Sequence, residues 1–96
     1  MKIIRMPDVA LAHGIDMFVM ATGGSVLADM EALHLAATIP DENCHAVWAC
    51  QDMITVDIAN GRGPRNQDGH LQLPEEPGLG VHPDEGALGD PKAVYQ

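Results

Sequence analysis

Two short polar clusters each close an apolar run, and their residue types could line a small-molecule site. Thr22-Gly23-Gly24-Ser25 follows the run from Asp16 to Ala21, and Cys50-Gln51-Asp52 closes the run that begins at His45. Glycines let the backbone come close to a ligand, and the N–H groups at a helix start can hold an anion such as a carboxylate. A plainer role competes with this. The first cluster also reads as a tight turn with Ser25 as a helix N-cap, and the second as a polar strand end.

Other chemistry-bearing residues are scattered. His45, His70 and His82 form no pair with the spacing of metal ligands. His34, between Leu33 and Leu35, reads as a structural helix residue, and His13, next to Gly14, as a partner for a helix C-terminus. Arg62 and Arg65 sit in a glycine-rich loop where they could clamp an anion, although a solvated loop accounts for them equally. Asp52 with Asp57, and Glu75 with Glu76, read as solvated charges. Cys44 and Cys50 alone are too few for a metal site. With no secretory pattern at the N-terminus they imply reduced thiols and a cytoplasmic protein.

The elements that must position these clusters follow from periodicity and punctuation. Residues 7 to 14 suggest a short helix, with Pro7 at its first position and Gly14 just past its end. Asp16 to Ala21 is apolar after its one acid and suggests a strand buried on both faces. Val26 to about Thr38 has helical spacing at Val26, Met30, Leu33 and Ala37, with Asp29 and Glu31 near its positive end and Pro40 as its stop. His45 to Cys50 suggests a second buried strand. Met53 to Ala59 is rich in β-branched residues, so it could be a short helix or irregular. Seven of the ten glycines and five of the seven prolines follow Asn60. Residues 60–69 read as a loop, His70 to Leu73 as a short strand, and Asp84 to Leu88 as one helical turn. Residues 1–59 therefore form the structured part and 60–96 a Gly/Pro-rich tail.

Composition bounds the function. The chain has 96 residues, 14 acids against 5 Lys and Arg, and a formal net charge of −9. That balance argues against nucleic acid and against an anionic membrane surface. No apolar run is long enough for a membrane span. The order of elements is an α/β pattern, yet two strands cannot close a barrel that takes roughly 250 residues.

Three stretches resemble the C-terminal end of enolase-superfamily enzymes of the mandelate racemase and muconate lactonizing type. They are GGSVLAD running into EALHLAA, the single-Trp strand HAVWACQDM, and GHLQLPEEPGLGVHPDEGAL. The resemblance implies a partial (β/α)8 barrel: the last two βα units, followed by a tail that returns to the capping domain. Asp16 to Ala21 would be the seventh strand and His45 to Cys50 the eighth. Barrel sites lie at the C-terminal ends of strands, so Thr22, Gly23, Gly24, Ser25, Cys50, Gln51 and Asp52 are the substrate-binding candidates.

The resemblance also implies what is missing. The family's metal-binding carboxylates and its lysine base come from earlier strands, and the only lysines here are Lys2 and Lys92. Gln51 stands where many relatives carry Glu, and an amide cannot act as an acid. The expectation is a fragment without catalytic or metal-binding residues of its own. The complete enzyme would abstract the α-proton of a small carboxylic acid and hold the enolate on Mg²⁺, as a racemase, cycloisomerase or dehydratase. Two alternatives stand beside it: a non-catalytic protein that self-associates as a homo-oligomer to cover its strands, and a small anion-binding module.

Overall fold

A computed structural model describes residues 3–21 and 23–95. Helix α1 (Arg5–Ala12) leads into strand β1 (Met17–Met20), helix α2 (Val26–Ala36) and strand β2 (Cys44–Trp48). A hairpin of β3 (Asn66–Gln67) and β4 (His70–Leu71) and a one-turn helix α3 (Glu85–Leu88) complete the chain. Helix α1 begins two residues before Pro7, which is still in the first turn, where backbone N–H groups have no helical partner. Gly14 follows its C-cap with a φ of 66°, the left-handed conformation that a side chain resists.

Strands β1 and β2 pair in parallel, with Phe18 opposite Ala46, Val19 opposite Val47 and Met20 opposite Trp48. The α2 helix is the crossover between them. Parallel strands need such a connection, and it covers one face of the pair. Val19, Ala21, Ala32, Ala36 and Ile39 form the core on that face. A second cluster joins Val26, Met30 and Leu33 of α2 to Ala59 and Val81.

The expected burial of both strand faces is corrected. Phe18 is 56% exposed, Met20 44% and Trp48 45%. These residues alternate with Val19 and Val47 and so share the face opposite α2. One helix can cover only one face, and among the described residues nothing buries the other. The strands also stop earlier than expected, at Met20 and Trp48. On α2 the apolar stripe ends on buried Ala36, and Ala37 is exposed.

The Gly/Pro-rich part packs back onto this body. Val81 enters the second core cluster, Asp84 N–H donates to Ile58 O at 2.6 Å, and His34 Nε2 lies 3.3 Å from Leu79 O. His34 is thus structural, as its place between two leucines suggested. Residues 60–69, expected to be loop throughout, contain β3. Its partner β4 is two residues long, and the turn between them depends on Asn66 Oδ1 accepting from Gly69 N–H. Asp84 caps α3 by accepting from Gly86 N–H and Ala87 N–H.

At the N-terminal ends of the strands, Asp16 takes Asn43 Nδ2 on one oxygen and His45 Nε2 on the other, each at 3.0 Å. The Asn43 hydrogen bond, then that of His45, holds the Asp16 carboxyl below its usual range. A carboxyl with a lowered folded pKa stabilises the fold above its unfolded pKa, and this is lost as pH falls through the folded value. Asp16→Asn is therefore expected to lower the thermal midpoint at neutral pH and leave it nearly unchanged at low pH, which flattens the acid limb of the curve. The pair is solvent-exposed, so added salt should weaken the difference.

Candidate active-site wall

The chain turns at the C-terminal end of β1 with Gly23 at φ 67° and enters α2 through Ser25. Ser25 occupies the N-cap position with extended backbone, but its side chain makes no capping hydrogen bond. The first N–H groups of α2 therefore depend on other partners. Gly24 is required by a close approach: a Cβ there would lie 2.7 Å from the Ala28 Cβ. Gly24→Ala is expected to lift the turn from the helix and cost about 1–3 kcal/mol, read by denaturant unfolding. Thr22 lies outside the described residues.

At the end of β2 the chain passes through Ala49 and Cys50 into a 3₁₀ turn, Gln51–Met53. Cys50 is buried, and its thiol donates to Ala21 O at 3.2 Å. Ala21 N–H in turn lies 3.3 Å from Trp48 O, which extends the pairing one residue past β1. The thiol thus ties the two strand ends together and does not face an open pocket.

Asp29 joins both clusters. It lies in the first turn of α2 and is only 1% exposed. Its Oδ2 accepts from Cys50 N–H at 2.8 Å and from Gln51 Nε2 at 2.6 Å. Its Oδ1 is buried with no partner among the described residues. Position in the helix suggested only a favourable dipole contact. A buried acid bridging 21 residues has no local sequence signature, so this role was not legible.

The structure thus brings Gly23, Gly24 and Ser25 beside Cys50 and Gln51, through Asp29. Gln51 is turned back toward the helix by its hydrogen bond. Asp52 is exposed and, with Gln51, Trp48, Met53 and Pro64, borders a cleft of about 240 Å³ between the end of β2 and the hairpin. The exposed pair Met20 and Trp48 marks the C-terminal ends of both strands on the open face, where the sequence reading named the residues just after them, Thr22 to Ser25 and Cys50 to Asp52. Strand alternation counted from Val47 could have found it.

Asp57, read as a solvated charge, is exposed and also organises its loop. It accepts from Ala59 N–H at 2.8 Å and from Gly61 N–H, which hold its carboxyl below the ordinary range. Arg62 and Arg65 are exposed. Among the described residues no three His, Cys, Asp or Glu side chains come together to hold a metal ion. None of the described helices is long and apolar enough to cross a membrane.

Comparison with known proteins agrees with this geometry. The family described as enolase C-terminal domain-like matches residues 1–87. A cis-3-hydroxy-L-proline dehydratase from Roseibium aggregatum is 36% identical over 90 residues, covering 94% of this chain and 24% of that protein. A structure of mandelate racemase/muconate lactonizing type from Silicibacter pomeroyi superposes with a TM-score of 0.89 at 86% identity, covering 95% of this chain and 25% of that one. An enolase-superfamily member from Roseovarius nubinhibens, complexed with magnesium, gives 0.88 at 43% identity, with 95% and 25% covered. The chain therefore spans about a quarter of the length of these relatives. Parallel strands with adjoining C-terminal ends, a crossover helix over one face and a tail folded back on that helix make this an α/β piece consistent with part of a barrel, and the chain belongs to the enolase C-terminal domain-like family.

Proposed function

We propose that the chain forms the closing wall of an active site in a complete barrel enzyme that removes the proton beside the carboxylate of a small acid. One observation carries this reading. Two parallel strands end side by side, with the Gly23–Ser25 turn at one end, Trp48 at the other, and their inner face uncovered. Such strand ends are where barrel enzymes place their chemistry. The backbone of the glycine turn is suited to receive the substrate carboxylate, since the α2 start offers N–H groups without a Ser25 cap. Met20 and Trp48 supply an apolar wall.

Among the possible outcomes, dehydration is favoured by the relative from Roseibium aggregatum. In that reaction the α-proton passes to a base, the C–O bond at the β-carbon breaks, and the hydroxyl takes a proton from an acid, such as the protonated base, to leave as water. The described residues place no lysine or histidine at the C-terminal ends of β1 and β2. They also do not fit a magnesium site, because Asp29 is sealed behind the turn and no second carboxylate approaches it. The base and the ion would both be held by other parts of the barrel, and this chain would bind, orient and exclude water.

The purified chain alone is expected to exchange no α-proton of a small carboxylic acid with deuterated solvent. Measurable exchange, scaling with chain concentration and abolished in Ser25→Pro, would contradict the division of labour proposed here. A second reading, self-association, draws on the same uncovered face: a homo-oligomer could bury Phe18, Met20 and Trp48 against copies of themselves.

A further inference from the structure

We infer that Asp29 is a positioning residue that fixes the Cys50–Asp52 turn against the glycine turn and holds the Gln51 amide nitrogen toward helix α2. This inference rests on the active-site reading only for its purpose, since the geometry stands without it. A carboxylate with almost no exposure costs several kcal/mol to bury unless it is well paired. Asp29 has no cationic partner among its hydrogen bonds. Its two donors both come from the segment that follows β2, and both reach the same oxygen. An apolar residue at this place would avoid that burial cost, but it could not hold that segment.

The contacts close a ring. From Ala21 the chain runs through the glycine turn into α2 and Asp29. Asp29 holds Cys50 by its backbone, and the Cys50 thiol returns to Ala21 O. The ring encloses the Gly23–Ser25 backbone and sets its distance from the β2 end. It also decides how the Gln51 amide is oriented. A carboxylate only accepts, so the group 2.6 Å away is the nitrogen, and the oxygen is the free end. A Cβ at Gly63 would come within 3.3 Å of that Oε1, so the loop residue packs over it. Gln51 thereby serves as a spacer between helix and loop, and Trp48 is left as the side chain at the strand end.

The pattern of bonds makes the test selective. Both donors use Oδ2 and none uses Oδ1, so an Asn whose oxygen takes the Oδ2 place can keep both hydrogen bonds. The experiment is amide NMR and hydrogen exchange on the 15N-labelled 96-residue chain, as wild type, Asp29→Asn, Asp29→Ala and Gln51→Ala. In wild type the two Gln51 side-chain protons are expected to be widely separated and the Cys50 amide protected. Asp29→Asn should keep both signatures, with Cys50 exchange faster by less than about tenfold, because a neutral acceptor is weaker. Asp29→Ala should collapse the Gln51 pair to free-amide values and speed Cys50 exchange by roughly 10- to 100-fold. If Asp29→Ala does not fold, Gln51→Ala decides: Cys50 should stay protected while Asp29 remains. Free-amide values for Gln51 in wild type, or equal behaviour of Asn and Ala at position 29, would overturn the inference. Lack of enzyme activity in any assembly would count against the proposed function and leave these signals unchanged.

Discussion

Gln51→Glu is expected to destabilise the chain by about 3 kcal/mol at neutral pH, because it replaces a hydrogen-bond donor with a second acceptor beside a buried acid. The Gln51 nitrogen lies 2.6 Å from Asp29 Oδ2. A carboxylate there would face Asp29 with no cation between them, and at this distance the two must share a proton. The new carboxyl would be pressed toward its protonated form in the folded chain, so its folded pKa would rise above the unfolded value of about 4.3. Such a group is tolerated below the unfolded pKa, and stability drops as pH rises through the folded one. Urea midpoints should therefore fall from acid to neutral pH in this variant much more steeply than in wild type. Gln51→Met, which loses the hydrogen bond without adding charge, should cost only about 1–2 kcal/mol and show no added pH dependence. Equal urea curves for Gln51→Glu and wild type at pH 7 would mean that the 2.6 Å contact does not exist in solution.

Gly80→Ala should be the other large effect, at about 2–4 kcal/mol. Gly80 has a φ of 71°, and a Cβ there would run into the Pro74 ring. Both costs act together, since the backbone conformation resists a side chain and the proline cannot rotate away. Val81, the next residue, is buried against α2, so any shift of the backbone at Gly80 pulls a core residue with it. The same substitution at Gly78, where φ is also positive but a Cβ would meet open space, should cost only the backbone part, about 1 kcal/mol. Thermal unfolding of both variants measures the difference, and similar midpoints would show that the Pro74 contact is unimportant. This contact also gives the PEEPGLGV stretch a physical reason, because a bend over a proline ring ends in a buried valine.

The order helix, strand, helix, strand was legible because each element carries local punctuation. Gly14 ends α1, Ser25 precedes α2, and Pro40 stops the chain from continuing it. The one-turn helix after Asp84 was legible for the same reason, since its cap is within three residues. What escaped was set at long range. Phe18 and Met20 have the composition of a fully buried strand, yet both are exposed on the face opposite α2. Asp29 looks like any acid in a first helical turn until β2 places Cys50 and Gln51 against it. The pair Asn66–Gln67 is polar and short, so it becomes a strand only through its neighbour. The resemblance carried by GGSVLAD, HAVWACQDM and PGLGV reached the family, while periodicity alone reached only an α/β pattern. Among the candidate residues, the glycine turn and the end of β2 do come together, and Cys50 and Gln51 make the hydrogen bonds that join them.

The most direct test is the molar mass, by light scattering, of this chain mixed with the Silicibacter pomeroyi relative truncated before the quarter that this chain matches. A one-to-one complex is expected, because the truncated barrel would cover the face of Phe18, Met20 and Trp48 and pair the open edges of β1 and β2. A chain that stays at its own 10.2 kDa beside the truncated relative, sharp and unassociated, would contradict the reading of these residues as the closing wall of a barrel.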